Sequence, residues 1–204
     1  RSLEEELPGD APLHLVAHST GCCAVVDALH RQGADRVPAE LGRVVLVAPL
    51  IHSWCESPST LGRNAVRPFL RRVPRVQRRV SHDSEFMTLL CRENPLKIRS
   101  IPLAWYDALR EWQEEVKDWA PSSRRAVILQ GTADTVVAWR KNLPLLKRML
   151  PGARVHRIRG GYHHLLNEDA EHRERVYELL RQALHSDLGE GTGDSAPGRT
   201  VGEE

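Results

Sequence analysis

Leu13-His14-Leu15-Val16-Ala17 is a short apolar run that breaks off at His18-Ser19-Thr20-Gly21. The residues behind it, Cys22-Cys23-Ala24-Val25-Val26-Asp27-Ala28-Leu29, read as a buried helix with Gly33 placed to end it. A strand, a tight corner and a helix in immediate succession leave few folds open. A helix that follows a strand this closely packs back onto the sheet the strand belongs to, which is how α/β layers are built.

The rest of the chain repeats that order. Arg43-Val44-Val45-Leu46-Val47-Ala48-Pro49 is nearly all apolar, as suits a parallel strand covered on both faces. Ala126-Val127-Ile128-Leu129-Gln130-Gly131 is a third strand of this kind, with a helix following from about Trp139 to Leu150. Arg154-Val155-His156-Arg157-Ile158 alternates, which puts a fourth strand nearer an edge, and an amphipathic helix runs from about Asp169 to Leu184. Between the second and third strands, roughly His52 to Pro121, no strand signal is present. The stretch reads as helices at Glu85 to Arg92 and Ile101 to Trp119, and is expected to form a helical cap over about 52–121 within one domain of residues 1–186. Residues 187–204 are Gly-rich and acidic and are expected to be disordered.

Composition narrows the classes. With 204 residues, 41% hydrophobic and 27% charged, the chain suits one soluble domain with a core of its own. A net charge of +2 excludes a whole-molecule nucleic-acid partner. No window approaches the roughly 18 apolar residues of a membrane span. Cys22, Cys23, Cys55 and Cys91 form no CxxC pair, so neither a zinc ribbon nor a disulfide framework is written here, and a reducing, cytoplasmic setting is expected. His14 and His18 sit four apart across a strand and a turn, a poor pair for a metal.

The corner itself carries chemistry. A serine hydroxyl is a weak nucleophile that needs an oriented base and an oxyanion site. A strand–turn–helix corner supplies the second, because it lifts the hydroxyl clear of the sheet and aims the N–H groups of the following helix at the developing oxyanion. Ala17-His18-Ser19-Thr20-Gly21 has the small flanking residues such a turn requires, and Thr20 would give one backbone donor. Serine as a plain helix N-cap is the competing reading. A carboxylate is then wanted to orient a histidine, and Asp134 directly follows the third strand. A histidine is wanted after the next strand, where Gly161-Tyr162-His163-His164-Leu165-Leu166-Asn167-Glu168 offers two. Position in the chain does not separate His163 from His164.

These segments resemble the α/β-hydrolase superfamily, in its branch of lysophospholipases, monoacylglycerol lipases and serine aminopeptidase-like hydrolases. The likeness rests on His-Ser-Thr-Gly at 18–21, Ser81-His82-Asp83-Ser84-Glu85-Phe86, Gln-Gly-Thr-Ala-Asp-Thr-Val-Val at 130–137, Trp139-Arg140, Asn142-Leu143 and the histidine loop. It implies an α/β fold, the C-terminal portion of a mostly parallel sheet with an inserted cap. It also implies Ser19 as nucleophile, Asp134 as acid, His163 as base, and no metal or organic cofactor. Members of the family place several strands and an early oxyanion loop before the nucleophile strand. The chain is therefore expected to be N-terminally truncated and nearly inactive alone, its lead residues 1–12 being too acidic and polar for an edge strand.

The implied activity is hydrolysis of lipid-like carboxylic esters through an acyl-enzyme. Trp105, Leu109 and Trp112, at helical spacing, are expected to roof an apolar pocket. Two rivals stand beside this: an aminopeptidase or amidase holding a free amine with Glu111, Glu114 or Glu115, and a non-catalytic remnant. Ser81-His82-Asp83 spells a triad in consecutive letters, but adjacent side chains point apart and cannot form a relay. The arginine run from Arg63 to Arg79 is either a solvated helix face or a contact for anionic lipid headgroups at a membrane surface.

Overall fold

The computed structural model describes residues 13–31, 41–54 and 71–185. Gly33, Cys55, Arg63, Arg67, the lead residues and the tail from 187 lie outside them. Strand β1 (Leu13–His18) leads into helix α1 (Thr20–Arg31), and β2 (Leu41–Val47) follows. The segment read as a cap then holds a strand β3 (Arg72–Pro74), a short helix α2 (Ser84–Thr88) running into a π turn (Leu89–Glu93), a strand β4 (Ser100–Pro102) and helix α3 (Leu103–Lys117). After it come β5 (Val127–Gly131), α4 (Trp139–Met149), β6 (Arg154–Ile158), a 3-10 turn (Leu165–Asn167) and α5 (Ala170–His185).

The four apolar runs form one parallel sheet in the order β1-β2-β5-β6. Strand periodicity sorts its side chains into two layers. Val44, Leu46 and Ile128 face α1, α4 and the last turns of α3, whereas Val45, Val47 and Leu129 face α5. Central strands covered on both sides must be apolar at every position, which is why β2 and β5 lack alternation. Loss of one buried leucine to alanine in either layer costs roughly 2–5 kcal/mol. The alternating fourth run, β6, lies at an edge of this sheet as its pattern required. Among the described residues, no helix is long and apolar enough to cross a membrane.

The cap segment departs from the all-helical expectation. β3 and β4 pair antiparallel as a two-stranded ribbon, with Val73 opposite Ile101. Three residues per strand, with proline and arginine among them, carry no readable period. The described part of the arginine run is accordingly strand and extended chain, not a helix face. α3 also starts later than its apolar spacing suggested, and its C-terminal half belongs to the main core. Val116 is buried there with Trp112 and Trp119 packed around it, and Gln113 donates to the Ile51 carbonyl behind β2.

Candidate active site

The corner after β1 is folded as its sequence demands. Ser19 has φ +53°, in the left-handed region that few non-glycine residues occupy. Its backbone is pinned on three sides: its N–H donates to Val47 (3.0 Å), and its carbonyl accepts from Cys22 (3.0 Å) and Leu50 (3.2 Å). The end of β2 thus holds the conformation that lifts the hydroxyl off the sheet. Thr20 opens α1, so its N–H is one of the donors a helix start leaves without an intrahelical partner.

Asp134 lies just past β5, and His163 just past β6. His163 Nδ1 donates to Asp134 Oδ2 at 2.8 Å, and its Nε2 accepts from Ser19 Oγ at 2.9 Å. The carboxylate can only accept, so it fixes the tautomer and leaves the Nε2 lone pair turned to the serine. Asp134 is buried, and burial by itself would raise its pKa. The bond and charge of His163, with N–H donors from Val136 and Val137, outweigh that and hold the carboxyl below its ordinary value. Gln130 adds a fourth donor at 3.1 Å. Sequence reading passed over it, although a glutamine closing an otherwise apolar strand was the available sign.

Close approach makes this line possible. A Cβ on Gly131 would collide with the carbonyl oxygens of Gly161 and Tyr162, so the end of β5 can meet the histidine loop only as glycine. Ala133 N–H then donates to the Gly161 carbonyl at 3.0 Å.

His163 and His164 are separated by geometry. His164 reaches neither Ser19 nor Asp134; its ring lies against Phe86, His18 and His163. Burial, and then the charges of His18, His163 and Arg75, push it down to about 3, so it stays neutral. His18 is also lowered, mainly by burial, and donates from Nε2 to the His163 carbonyl at 3.1 Å. Burial likewise pushes the Cys22 and Cys23 thiols up to about 12, so both stay protonated near neutral pH.

The three residues expected to roof a pocket divide. Trp105 and Leu109 join Cys23 and Val136 against Leu50, Val137 and Trp139, next to the Ser19 corner. Trp112 instead turns into the main core and donates to Asp27 Oδ1 on α1 at 2.8 Å. Of the acids weighed as amine anchors, Glu115 pairs with Arg31 and Glu114 with Lys117 at the surface.

A second carboxylate was missed altogether. Glu168 is fully buried. Its Oε1 accepts from the Tyr162 N–H (2.5 Å), and its Oε2 from the His82 N–H (2.6 Å) and His82 Nδ1 (3.1 Å). Ser81 Oγ donates to the Asn167 carbonyl (2.6 Å), and His164 N–H donates to the Val80 carbonyl (2.9 Å). Residues 80–82 are thereby laced to the histidine loop. Beside them, donor atoms of His82, Asp169 and His172 lie within 4.8 Å of one another, the composition of a metal site. The two rings stack nearly parallel (8°), so their in-plane lone pairs do not converge, and His172 Nδ1 is already bonded to Asp169. His14, the other candidate ligand, accepts from the Arg43 N–H at Nδ1.

Residues 1–170 match the family described as serine aminopeptidase, S33. The chain belongs to this family. Its fold is that of solved α/β hydrolases. The monoacylglycerol lipase of Paleococcus ferrophilus superposes with a TM-score of 0.67 at 16% identity, over 85% of this chain and 68% of that one. A soluble variant of the monoglyceride lipase of Saccharomyces cerevisiae gives 0.68 at 14%, over 85% and 61%. The metagenome-derived lipolytic enzymes LipS and LipT give 0.59 at 18%, over 88% and 68%. The chain thus spans about two thirds of the length of such neighbours. No curated protein matches the sequence.

Proposed function

We propose that this chain carries the catalytic centre of a serine hydrolase acting on lipid-like carboxylic esters. The reading rests on one observation, the unbroken hydrogen-bonded line from Ser19 Oγ through His163 to Asp134. In this reading Ser19 attacks the acyl carbonyl as His163 Nε2 takes its proton. The Thr20 N–H donates to the developing oxyanion, and Asp134 supports the imidazolium. His163 then returns the proton to the leaving alkoxide, and water, activated by the same nitrogen, releases the acyl group.

Two features support an ester with an apolar acyl part. Trp105, Leu109, Val136 and Leu50 form an apolar wall beside the nucleophile corner, and pockets for such groups are mainly apolar. The lipase neighbours act on acylglycerols according to their names. The family description names aminopeptidases, which favours an amide-cleaving alternative. Against it, two of the three acids offered as amine anchors, Glu114 and Glu115, pair with Lys117 and Arg31.

The test is fluorophosphonate labelling and turnover of p-nitrophenyl esters. Ser19→Ala is expected to abolish labelling and to lower turnover by about 10³-fold or more. Turnover is expected to rise from acetate toward medium acyl chains. Labelling that survives the substitution refutes the nucleophile assignment. A flat ester series with cleavage of aminoacyl amides favours the alternative.

A further inference from the structure

The ribbon of β3 and β4 ends in an unusual surface. Past the Pro74–Ser100 pair, the Arg75 N–H donates to the Arg99 carbonyl at 2.9 Å, and Val76 and Ile98 are the next residues on the two sides. Both are exposed, Val76 by 73% and Ile98 by 56%, and Leu96 at the tip is exposed by 86%. Residues 71–79 and 94–102 together contain six arginines and Lys97 but no acid, against a net charge of +2 for the entire chain. Arg72 donates to Ser100, Lys97 to the Cys91 carbonyl and Arg79 to the Ser81 carbonyl. These partners are neutral and cancel no charge.

We propose that this ribbon end docks onto an anionic lipid surface. Exposed apolar side chains flanked by Arg75, Lys97 and Arg99 match a layer of negative headgroups over hydrocarbon, where each part is stabilised by a different depth. A purely apolar protein groove would offer the cations no counter-charge, and a nucleic acid would leave Val76, Leu96 and Ile98 in water. Position favours the same occupant. From Val76 the chain runs no more than about 14 Å to Val80, whose carbonyl holds the histidine loop at His164. A lipid surface engaged at the tip is therefore tied by a short segment to the loop that carries His163. The docking stands on the ribbon alone; its use, delivery of lipid esters, rests on the hydrolase reading.

The full chain is to be sedimented with vesicles of phosphatidylcholine alone and of phosphatidylcholine mixed with phosphatidylglycerol. Partition into the mixed vesicles is expected to exceed that into phosphatidylcholine by about tenfold or more and to fall with added salt. Val76→Asp with Ile98→Asp should reduce it by about tenfold or more. Arg75→Gln and Arg99→Gln should each reduce it about fivefold. Melting temperature and turnover of a soluble ester should not change in these surface variants. Wild-type chain that ignores the mixed vesicles, or partition that the variants keep, overturns the proposal. So does binding to heparin without vesicle binding, which assigns the surface to a soluble polyanion. A dimer that Val76→Asp and Ile98→Asp dissociate, again without vesicle binding, assigns it to a second copy. Vesicle binding by a chain devoid of esterase activity leaves the docking intact and defeats the hydrolase reading instead.

Discussion

Two sets of serine, histidine and carboxylate lie on either side of the histidine loop. Ser19, His163 and Asp134 form a line, in which the histidine spends one ring nitrogen on the carboxylate and the other on the hydroxyl. Ser81, His82 and Glu168 form a star, in which the carboxylate is the hub. Glu168 takes the His82 ring and two backbone N–H groups, while the fully buried Ser81 hydroxyl donates chiefly to the Asn167 carbonyl at 2.6 Å, with Glu168 Oε2 at 3.3 Å. The same three kinds of side chain give opposite outcomes. In the proposed reading the line leaves one atom, Ser19 Oγ, poised to lose a proton to an oriented base. A star gathers its donors on one carboxylate and builds a joint.

The sharpest way to break this contrast is to remove one histidine from each set. His163→Ala is expected to lower turnover of a soluble ester by about 10³-fold or more. His82→Ala and His164→Ala, which take nothing from Ser19 Oγ, should stay close to wild type. A ranking in which His82 or His164 matters more than His163 reverses the assignment of line and star.

Glu168→Gln tests the joint. An amide cannot accept from the Tyr162 N–H and from the His82 N–H and ring together, so at least one buried donor loses its partner. Denaturant melts should show a loss of about 1–3 kcal/mol, with the folded fraction still turning over ester. Full stability combined with lost turnover would move Glu168 from the joint into the chemistry.

Acid separates the two sets more gently. The Asp134 pKa is depressed below its ordinary 3.8 in the folded chain. Its contribution to stability is therefore complete above that value and disappears as pH falls through the lower, folded one. The melting-temperature difference between wild type and Asp134→Asn should be constant near neutral pH and shrink below about pH 4. A difference that grows with acidity contradicts the depressed carboxyl.

The smallest effect belongs to His172, stacked on His82 at the star. Burial pulls its pKa down, but the bond to Asp169 and the charges of Asp169 and Glu168 leave it raised above 6.5. A raised histidine stabilises below its unfolded pKa and loses that contribution as pH rises through the folded one. His172→Ala should thus lower the melting temperature slightly at about pH 5.5 and less at about pH 8. An effect that is larger at the higher pH points to packing in place of charge.

What could be read in advance follows the range of the forces involved. The four sheet strands were legible because burial on both faces writes itself as continuous apolar runs at Val44–Val47 and Ile128–Leu129. Ser19, Asp134 and His163 were legible as candidates because each closes a strand, and strand ends converge on one sheet edge. The ribbon was not, since its pairing is set by a partner strand some 28 residues away and not by local period. Glu168 looked like any glutamate before a helix, because burial imposed by residues 80–82 leaves no local trace. The Trp105–Leu109–Trp112 spacing identified a helix face but not its neighbours, and Asp27 of α1 claimed the last of the three.

The lacing at residues 80–82 also decides what kind of moving part the ribbon can be. A flap hinged at its root would have to tear Val80, Ser81 and His82 from the histidine loop, and so would dismantle the joint to open. With those bonds kept, the root is clamped, and residues 76–79, which have no regular pairing, are the link between ribbon and clamp. The ribbon is then a strut held at one end by α3, where the Leu103 N–H donates to the Arg71 carbonyl, and at the other by the histidine loop. A load applied at Val76 reaches His163 through a few residues of extended chain, and its stiffness depends on the buried carboxylate of Glu168.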